Sequence, residues 1–125
     1  MKKRLCISVL LIFFIRLGYG QGITVAFRLP YEYTKVDTAL NKLREVLSQQ
    51  KITEVKFHAN YRIYINRPQG GISVNFAYKI KVEKGNITVD APNDMGLING
   101  ILYIAEQLKK THSVAKIKSK TFLPS

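Results

Sequence analysis

Two stretches of the chain alternate strictly between apolar and polar positions, and they predict its longest strands. They cover residues 55–66 and 72–83. In the first stretch, the apolar residues lie on one side and the polar residues on the other. This period of two is typical of a strand with one face buried and one face in water. Shorter apolar runs at 23–28 and 87–91 predict two further strands. Turn signals at 67–71 and 84–86 separate them, and Gly85 suits a hairpin that needs positive φ.

Two other stretches have helical periodicity. Apolar residues at positions 36, 40, 43 and 47 predict a helix that ends near Gln50. A broader apolar stripe over residues 97–108 predicts a second helix. Thr34 and Asp37 fit a capping box for the first helix, and Asn93 or Asp94 can cap the second. Gly100 lies inside the second helix, where we expect it only if a neighbour packs closely.

The predicted element order is β-α-β-β-β-α, with a short strand at 115–120 as an optional addition. This order indicates an α+β fold: a mostly antiparallel sheet of about four strands with two helices on one face. Residues 112–125 are expected to form a C-terminal tail that frays from residue 121.

The first twenty residues have the three-part pattern of a secretory signal peptide. Basic residues at positions 2–4 precede an apolar run of residues 5–15, and Gly18-Tyr19-Gly20 offers small residues for cleavage. The run is too short to span a bilayer, so no stable membrane span is expected after cleavage. We therefore expect a single domain over residues 21–125, located in the periplasm or outside the cell. The one cysteine, Cys6, would be removed, leaving no disulfide.

The whole chain carries 20 basic and 8 acidic residues, a net charge of +12. Without residues 1–20 it has 16 basic and 8 acidic residues, so a charge of +8 remains. Such a charge favours anionic glycans or other polyanions as partners, although a well-solvated surface would have the same composition. Export from the cytosol argues against nucleic acid.

The sequence offers little catalytic or metal-binding chemistry. His58 and His112 are its only histidines, which is too few ligands for a transition-metal site once the cysteine is removed. Asp90 and Asp94 flank Pro92 and could imitate a catalytic carboxylate pair, but helix capping is the simpler interpretation. No nucleophilic triad or phosphate-binding loop is evident. We expect no catalytic residue, no metal and no cofactor.

The predicted sheet has one polar face. Arg62, Tyr64, Lys79 and Lys81 should project from it, with Lys56 and His58 nearby. Basic and aromatic side chains on an open sheet can bind sugars or single-stranded nucleic acid. A plain solvated face is the competing interpretation.

Residues 76–108 resemble a known accessory domain. The shared pattern is a strand entered by Ala77-Tyr78, a hairpin at Gly85-Asn86, a returning strand, and a helix that begins Gly96-Leu97-Ile98-Asn99-Gly100 and continues to Gln107-Leu108. This pattern resembles the N-terminal domain of bacterial-type β-N-acetylhexosaminidases, and similar domains precede the barrels of α-glucuronidases. The chain departs from it at Asn99, where the family often has an aromatic residue, and at Phe76, where an acidic residue is common.

The resemblance implies a fold whose topology is grouped with the zinc peptidases, but His-Glu-x-x-His is absent, so no zinc site carries over. In the family, the catalytic Asp-Glu pair belongs to a following (β/α)8 barrel, and residues 120–125 fall where that barrel would begin. The implied function is therefore a secreted, non-catalytic accessory domain of glycoside hydrolase type. Its expected partner is a glycosidase catalytic domain or a glycan. The alternative is an extracytoplasmic basic module that binds anionic glycans, and the oligomeric state stays open.

Overall fold

The computed structural model describes residues 22–70 and 76–123, which form a sheet with two helices. The two helices, α1 and α2, and six strands form an α+β fold. The bounds in chain order are β1 Thr24–Arg28, α1 Asp37–Gln49, β2 Thr53–Glu54, β3 Tyr61–Ile65, β4 Tyr78–Glu83, β5 Asn86–Asp90, α2 Asp94–Thr111 and β6 Lys120–Phe122, with a 3-10 turn at Val114–Lys116 before β6.

The sheet is mixed and has six strands in the order β2-β1-β3-β5-β4-β6. Strands β2, β1, β3 and β5 are parallel, whereas β4 is antiparallel to both β5 and β6. The prediction of about four mostly antiparallel strands was therefore wrong in both respects. The connection through α1 makes β1 and β3 parallel. The β4–β5 hairpin then places β5, not β4, beside β3, which a sequence pattern cannot distinguish.

Both helices cover one face of the sheet, and the core lies between the helices and that face. Helices α1 and α2 also pack against each other. The core residues alternate along the strands and follow one stripe of each helix, as the periodicity predicted. The largest fully buried side chains are Val25, Leu40, Leu43, Leu47, Ile63, Ile65, Ile80, Ile87, Leu97, Ile101, Ile104 and Leu108.

The predicted strand over residues 55–66 is shorter in the structure. Only Tyr61–Ile65 forms a strand there, because His58 has a φ of 59° and interrupts the extended backbone. Phe57, expected on the buried side, is 73% exposed. Asn60 holds the intervening loop to β1, since its side chain accepts a hydrogen bond from the Thr24 amide at 2.9 Å.

The second alternating stretch is also interrupted. Strand β4 begins only at Tyr78, and Phe76 before it has a φ of 69° and is 42% exposed. The apolar positions 72 and 74 lie outside the described residues. The hairpin prediction is confirmed: Lys84 and Gly85 both have positive φ, as a two-residue type I′ turn requires.

One of the two predicted helix caps is present. The Oδ1 atom of Asn93 accepts a hydrogen bond from the Gly96 amide at 2.9 Å, which caps α2. Helix α1 has no side-chain cap; Val36 occupies the cap position, so the predicted Thr34–Asp37 capping box was wrong. Thr34 instead uses its backbone oxygen, which accepts from the Asp37 amide at 3.2 Å.

The two glycines of α2 are where the helix approaches the sheet most closely. A Cβ atom on Gly96 would lie 2.0 Å from the backbone oxygen of Ala77, and one on Gly100 would lie 2.8 Å from Cγ1 of Val89. The expectation of close packing at Gly100 is confirmed. Gly96 is under an even stricter steric limit, which the sequence did not reveal.

The C-terminal segment is more ordered than predicted. Residues 114–116 form a 3-10 turn instead of a strand, and Thr121 and Phe122, expected to fray, pair with Lys79 and Tyr78 of β4. The proposed signal peptide at 1–20 lies outside the described residues. Neither helix in the described part of the chain is long and apolar enough to cross a membrane.

Candidate functional site

The structure brings the four predicted ligand residues to the same face of the sheet, opposite the helices. We call this surface the open face, defined by Arg62, Tyr64, Lys79 and Lys81. Strand β5 separates the two pairs, and Tyr64 and Lys81 flank its Thr88 in one row across the sheet. Both lysines are exposed, whereas Arg62 and Tyr64 are half-buried.

Arg62 has a structural role on this face. Its Nε atom donates to the Asn86 side chain at 2.6 Å, and its Nη1 atom donates to the Ala59 backbone oxygen at 2.9 Å. These bonds connect β3, which contains Arg62, to the β4–β5 hairpin and to the loop that precedes β3. A ligand would have to compete for these donors, so Arg62 is the weakest of the four candidates.

The two lysines give the open face its positive charge. The Nζ atom of Lys81 lies 3.8 Å from Glu83, but both side chains are more than 60% exposed, so this ion pair contributes little. Lys79 makes no ion pair with any other residue that the structure describes. A shallow depression of about 310 Å³ between β4 and β6 is lined by both lysines together with Ser119 and Thr121. It suits a weakly held anion.

The two nearby basic residues expected beside this face lie in the loop before β3. The backbone oxygen of Lys56 accepts a hydrogen bond from Arg28 at 2.8 Å, and Lys56 is itself exposed. His58 is exposed at the residue that interrupts the strand. Because both residues belong to this loop, neither is part of the open face.

Asp90 and Asp94 have separate partners. Asp90 accepts a hydrogen bond from Asn66 at 2.7 Å, and Asp94 accepts one from the Tyr33 hydroxyl. Burial, followed by this hydrogen bond, raises the pKa of Tyr33 well above its usual range, while nearby Arg67 opposes the shift. Asp94 therefore anchors the loop after β1, and it does not cap α2 as predicted.

The structure also reveals a groove that the sequence analysis missed. This aromatic groove lies between α2 and the edge strand β6 and has a volume of about 480 Å³. Side chains from three separate parts of the chain line it: Phe76, Tyr78, Asn99, Leu102, Tyr103, Glu106 and Phe122.

The aromatic rings form the floor of the groove. The Tyr78 ring centroid lies 5.4 Å from that of Phe122 and 5.9 Å from that of Tyr103. Lys120 places its ammonium 5.3 Å from the centre of the Tyr103 ring. Burial raises the pKa of the Tyr78 hydroxyl, with a smaller contribution from Tyr103. These contacts pack the rings of the floor against one another.

A sequence signal for one wall of this groove did exist. On α2, beside the core stripe, the wall residues Asn99, Leu102 and Glu106 follow one another at helical spacing. The apolar stripe predicted over residues 97–108 includes Leu102, but this residue is 38% exposed. The opposite wall comes from β6, where a frayed end was expected, so the groove itself was not predictable.

The structure also restricts the metal chemistry of this chain. Within residues 22–70 and 76–123, no three histidine or acidic side chains come close enough to hold a metal ion.

Comparison with solved structures finds glycoside hydrolases. A GH138 enzyme targeting pectin rhamnogalacturonan II matches 78% of this chain with a TM-score of 0.67 and 17% identity. The match covers only 15% of that enzyme's chain. At this identity, the match establishes that the chain has the fold of part of a glycoside hydrolase.

A second structure, the chitobiase FjGH20 of Flavobacterium johnsoniae, matches 65% of this chain and 14% of its own at 20% identity. Its TM-score is only 0.39, which does not by itself establish a common fold. No protein-family model and no curated protein match the chain in sequence.

Proposed function

We propose that this chain is a non-catalytic accessory domain of a carbohydrate-active, glycoside hydrolase type of protein, exported to the periplasm or the cell exterior. The observation that carries the proposal is the shared fold with part of a GH138 enzyme, at a TM-score of 0.67 over 78% of the chain. The sequence resemblance of residues 76–108 to the N-terminal domain of β-N-acetylhexosaminidases points in the same direction. The partner proposed for this chain is a glycosidase catalytic domain or a glycan.

The roles of five of the eight carboxylates support a non-catalytic domain. Hydrolysis of a glycosidic bond needs two carboxyl groups about 5–9.5 Å apart across a sugar site. Asp90 and Asp94 each accept a hydrogen bond from a neighbouring loop, and Glu54 accepts two from Arg44, at 2.8 and 3.2 Å. Glu45 and Glu83 lie on exposed surfaces within 4 Å of a lysine. These five carboxylates have structural or surface roles.

The proposal is tested by polysaccharide affinity electrophoresis with the purified protein. The gels contain either a neutral polymer such as hydroxyethyl cellulose or glycol chitin, or an anionic one such as pectin. We expect migration to be retarded by at least one polymer, relative to a non-binding protein of similar size and charge. Unchanged migration in every gel would contradict glycan binding and leave only a role in supporting a catalytic domain.

The open face favours a second function, the binding of anionic glycans. Lys79 and Lys81 project from it beside a shallow depression, and the chain beyond residue 20 has 16 basic and 8 acidic residues. Contacts of this kind are electrostatic and exposed, so salt screens them strongly.

Replacing both open-face lysines separates the two functions. We expect Lys79→Gln with Lys81→Gln to weaken pectin binding several-fold at low salt, and the difference to vanish near 0.5 M salt, where the Debye length is only about 3–5 Å. The control is Lys109→Gln with Lys110→Gln on α2, which changes the net charge equally. Equal weakening by both pairs would indicate a general charge effect and would contradict a site on the open face.

A further inference from the structure

The aromatic groove exposes more apolar surface in one place than a solvated surface needs. Phe76, Leu102 and Phe122 are 42%, 38% and 37% exposed, and all three line it. Single exposed apolar side chains are ordinary, whereas a cluster beside a concave surface marks a binding site. A volume of about 480 Å³ lies in the range of small-molecule pockets, about 300–1,000 Å³.

The lining of the groove combines apolar and polar groups. Its floor is aromatic, and Asn99 and Glu106 line it on the α2 side. Lys120 is not itself a lining residue, but its ammonium lies 5.3 Å from the centre of the Tyr103 ring, which is one. Glu106 makes no ion pair with any residue in the described part of the chain. A wholly apolar occupant would desolvate these polar groups without replacing their hydrogen bonds, which is unfavourable.

The charges of the groove restrict the ligand further. Glu106 attracts a cationic ligand and repels an anionic one, and Lys120 does the reverse, so a single charge of either sign gains little net attraction. The matching ligand is neutral, has an apolar face for the rings, and carries hydroxyl groups that can donate to a carboxylate and accept from an ammonium or an amide. A pyranose ring has this combination, because its C–H bonds form an apolar face and its hydroxyls surround the rim.

We propose that the aromatic groove binds a neutral pyranose, as a monosaccharide or disaccharide unit of a glycan. The proposal rests on the carbohydrate-related function above, but it assigns a different surface from the open face. The ring of Tyr103 packs against the sugar face, and Asn99 and Glu106 bond its hydroxyls. The groove is open to solvent, so a single disaccharide binds weakly, with a dissociation constant of about 1 mM.

An NMR titration of the 15N-labelled protein tests this assignment. The probes are cellobiose and N,N′-diacetylchitobiose, with galacturonic acid as an anionic comparison and glucosamine as a cationic one. We expect a neutral disaccharide to shift the amide signals of Asn99, Tyr103, Glu106 and Phe122, with little change on the open face. The two charged sugars should bind at least several-fold more weakly.

Three variants make the test specific. Tyr103→Ala should weaken binding about tenfold, the upper part of the range for a lost ring contact. Asn99→Ala should weaken it several-fold, and it guards against misfolding because alanine favours the helix. Tyr31→Ala removes an aromatic ring that is 82% exposed and belongs neither to the groove nor to the open face, and it should leave binding unchanged.

The outcomes distinguish this proposal from the broader one. If the chain binds a polysaccharide but Tyr103→Ala and Asn99→Ala bind it equally well, the groove is not the site and the accessory-domain proposal stands. If no neutral sugar shifts any signal in the groove, the groove proposal is overturned. Concentration-dependent self-association that Phe122→Ser abolishes, without any sugar-induced shift, would identify a second copy of the chain as the occupant and would also overturn it.

Discussion

Replacing Gly96 with alanine is expected to lower the free energy of unfolding by about 3 kcal/mol, the upper end of the cost of overpacking a core. The added Cβ atom would lie 2.0 Å from the backbone oxygen of Ala77 and 2.8 Å from the Cβ atom of Ala91. Ala77 directly precedes β4, and its backbone oxygen cannot rotate away as a side chain can. The N-terminal end of α2 would therefore have to move off the sheet.

Chemical denaturation of the two proteins measures this effect. Gly100→Ala is the matched control, because its Cβ atom would meet mainly Cγ1 of Val89, at 2.8 Å, and a side chain adjusts more easily than a backbone. We expect Gly100→Ala to cost less than Gly96→Ala. Since alanine is the better helix former by about 1 kcal/mol, equal or increased stability of Gly96→Ala would show that α2 does not approach the sheet this closely.

Tyr78→Ala is expected to destabilise the protein by about 3 kcal/mol, in the range for truncating a buried aromatic side chain. Tyr78 is only 8% exposed, and its ring lies between the core and the aromatic groove, against Tyr103 and Phe122. The substitution should also release β6, because Phe122 is the residue opposite Tyr78 in the sheet and stacks on its ring.

Thermal denaturation combined with amide hydrogen exchange tests both parts. We expect a lower melting temperature and faster exchange at Lys120–Phe122. Tyr78→Phe keeps the ring and removes only the hydroxyl, so it should retain most of the stability and the protection of β6. A Tyr78→Ala protein with unchanged exchange in β6 would contradict the coupling between the ring stack and the edge strand.

The sequence predicted those elements whose residues interact mainly with their own neighbours along the chain. Helix α2, its Asn93 cap and the type I′ turn at Lys84-Gly85 follow from local periodicity and turn chemistry. The strand at 55–66 was overestimated because alternation continues through His58, whose positive φ depends on the loop held by Asn60. Alternation shows which side chains suit a strand, but it does not reveal a residue with positive φ that interrupts the extended backbone.

The order of the strands and the aromatic groove depend on contacts distant in sequence. Placing β5 between β3 and β4 makes the β3–β5 pair parallel, whereas the hairpin alone favoured an antiparallel sheet. The groove forms only because β6 returns to pair with β4 and brings Phe122 to Tyr78. The open face required only the alternation of neighbouring residues, so its four side chains were placed on one surface from the sequence.

Close packing explains why α2 has glycine at two positions four residues apart. Gly96 and Gly100 are part of the resemblance that the sequence analysis identified. The structure supplies the cause at both positions: Gly100 meets Val89 and Tyr78 on the strands, and Gly96 meets Ala77 and Ala91 next to the strand ends, with no room for a side chain. A pattern of small residues four apart on a helix is thus a packing signal here.

The central claim, a domain that associates with glycans without cleaving them, is tested most directly by product analysis. The purified protein is incubated with a glycan that retards its migration in electrophoresis and, separately, with aryl N-acetylglucosaminide and glucuronide substrates. The products are measured by mass spectrometry. We predict that the glycan keeps its length and that no aryl group is released. Cleavage that disappears in Asp90→Asn or Asp94→Asn, while both variants remain folded, would contradict the claim and make the turn between β5 and α2 an active site.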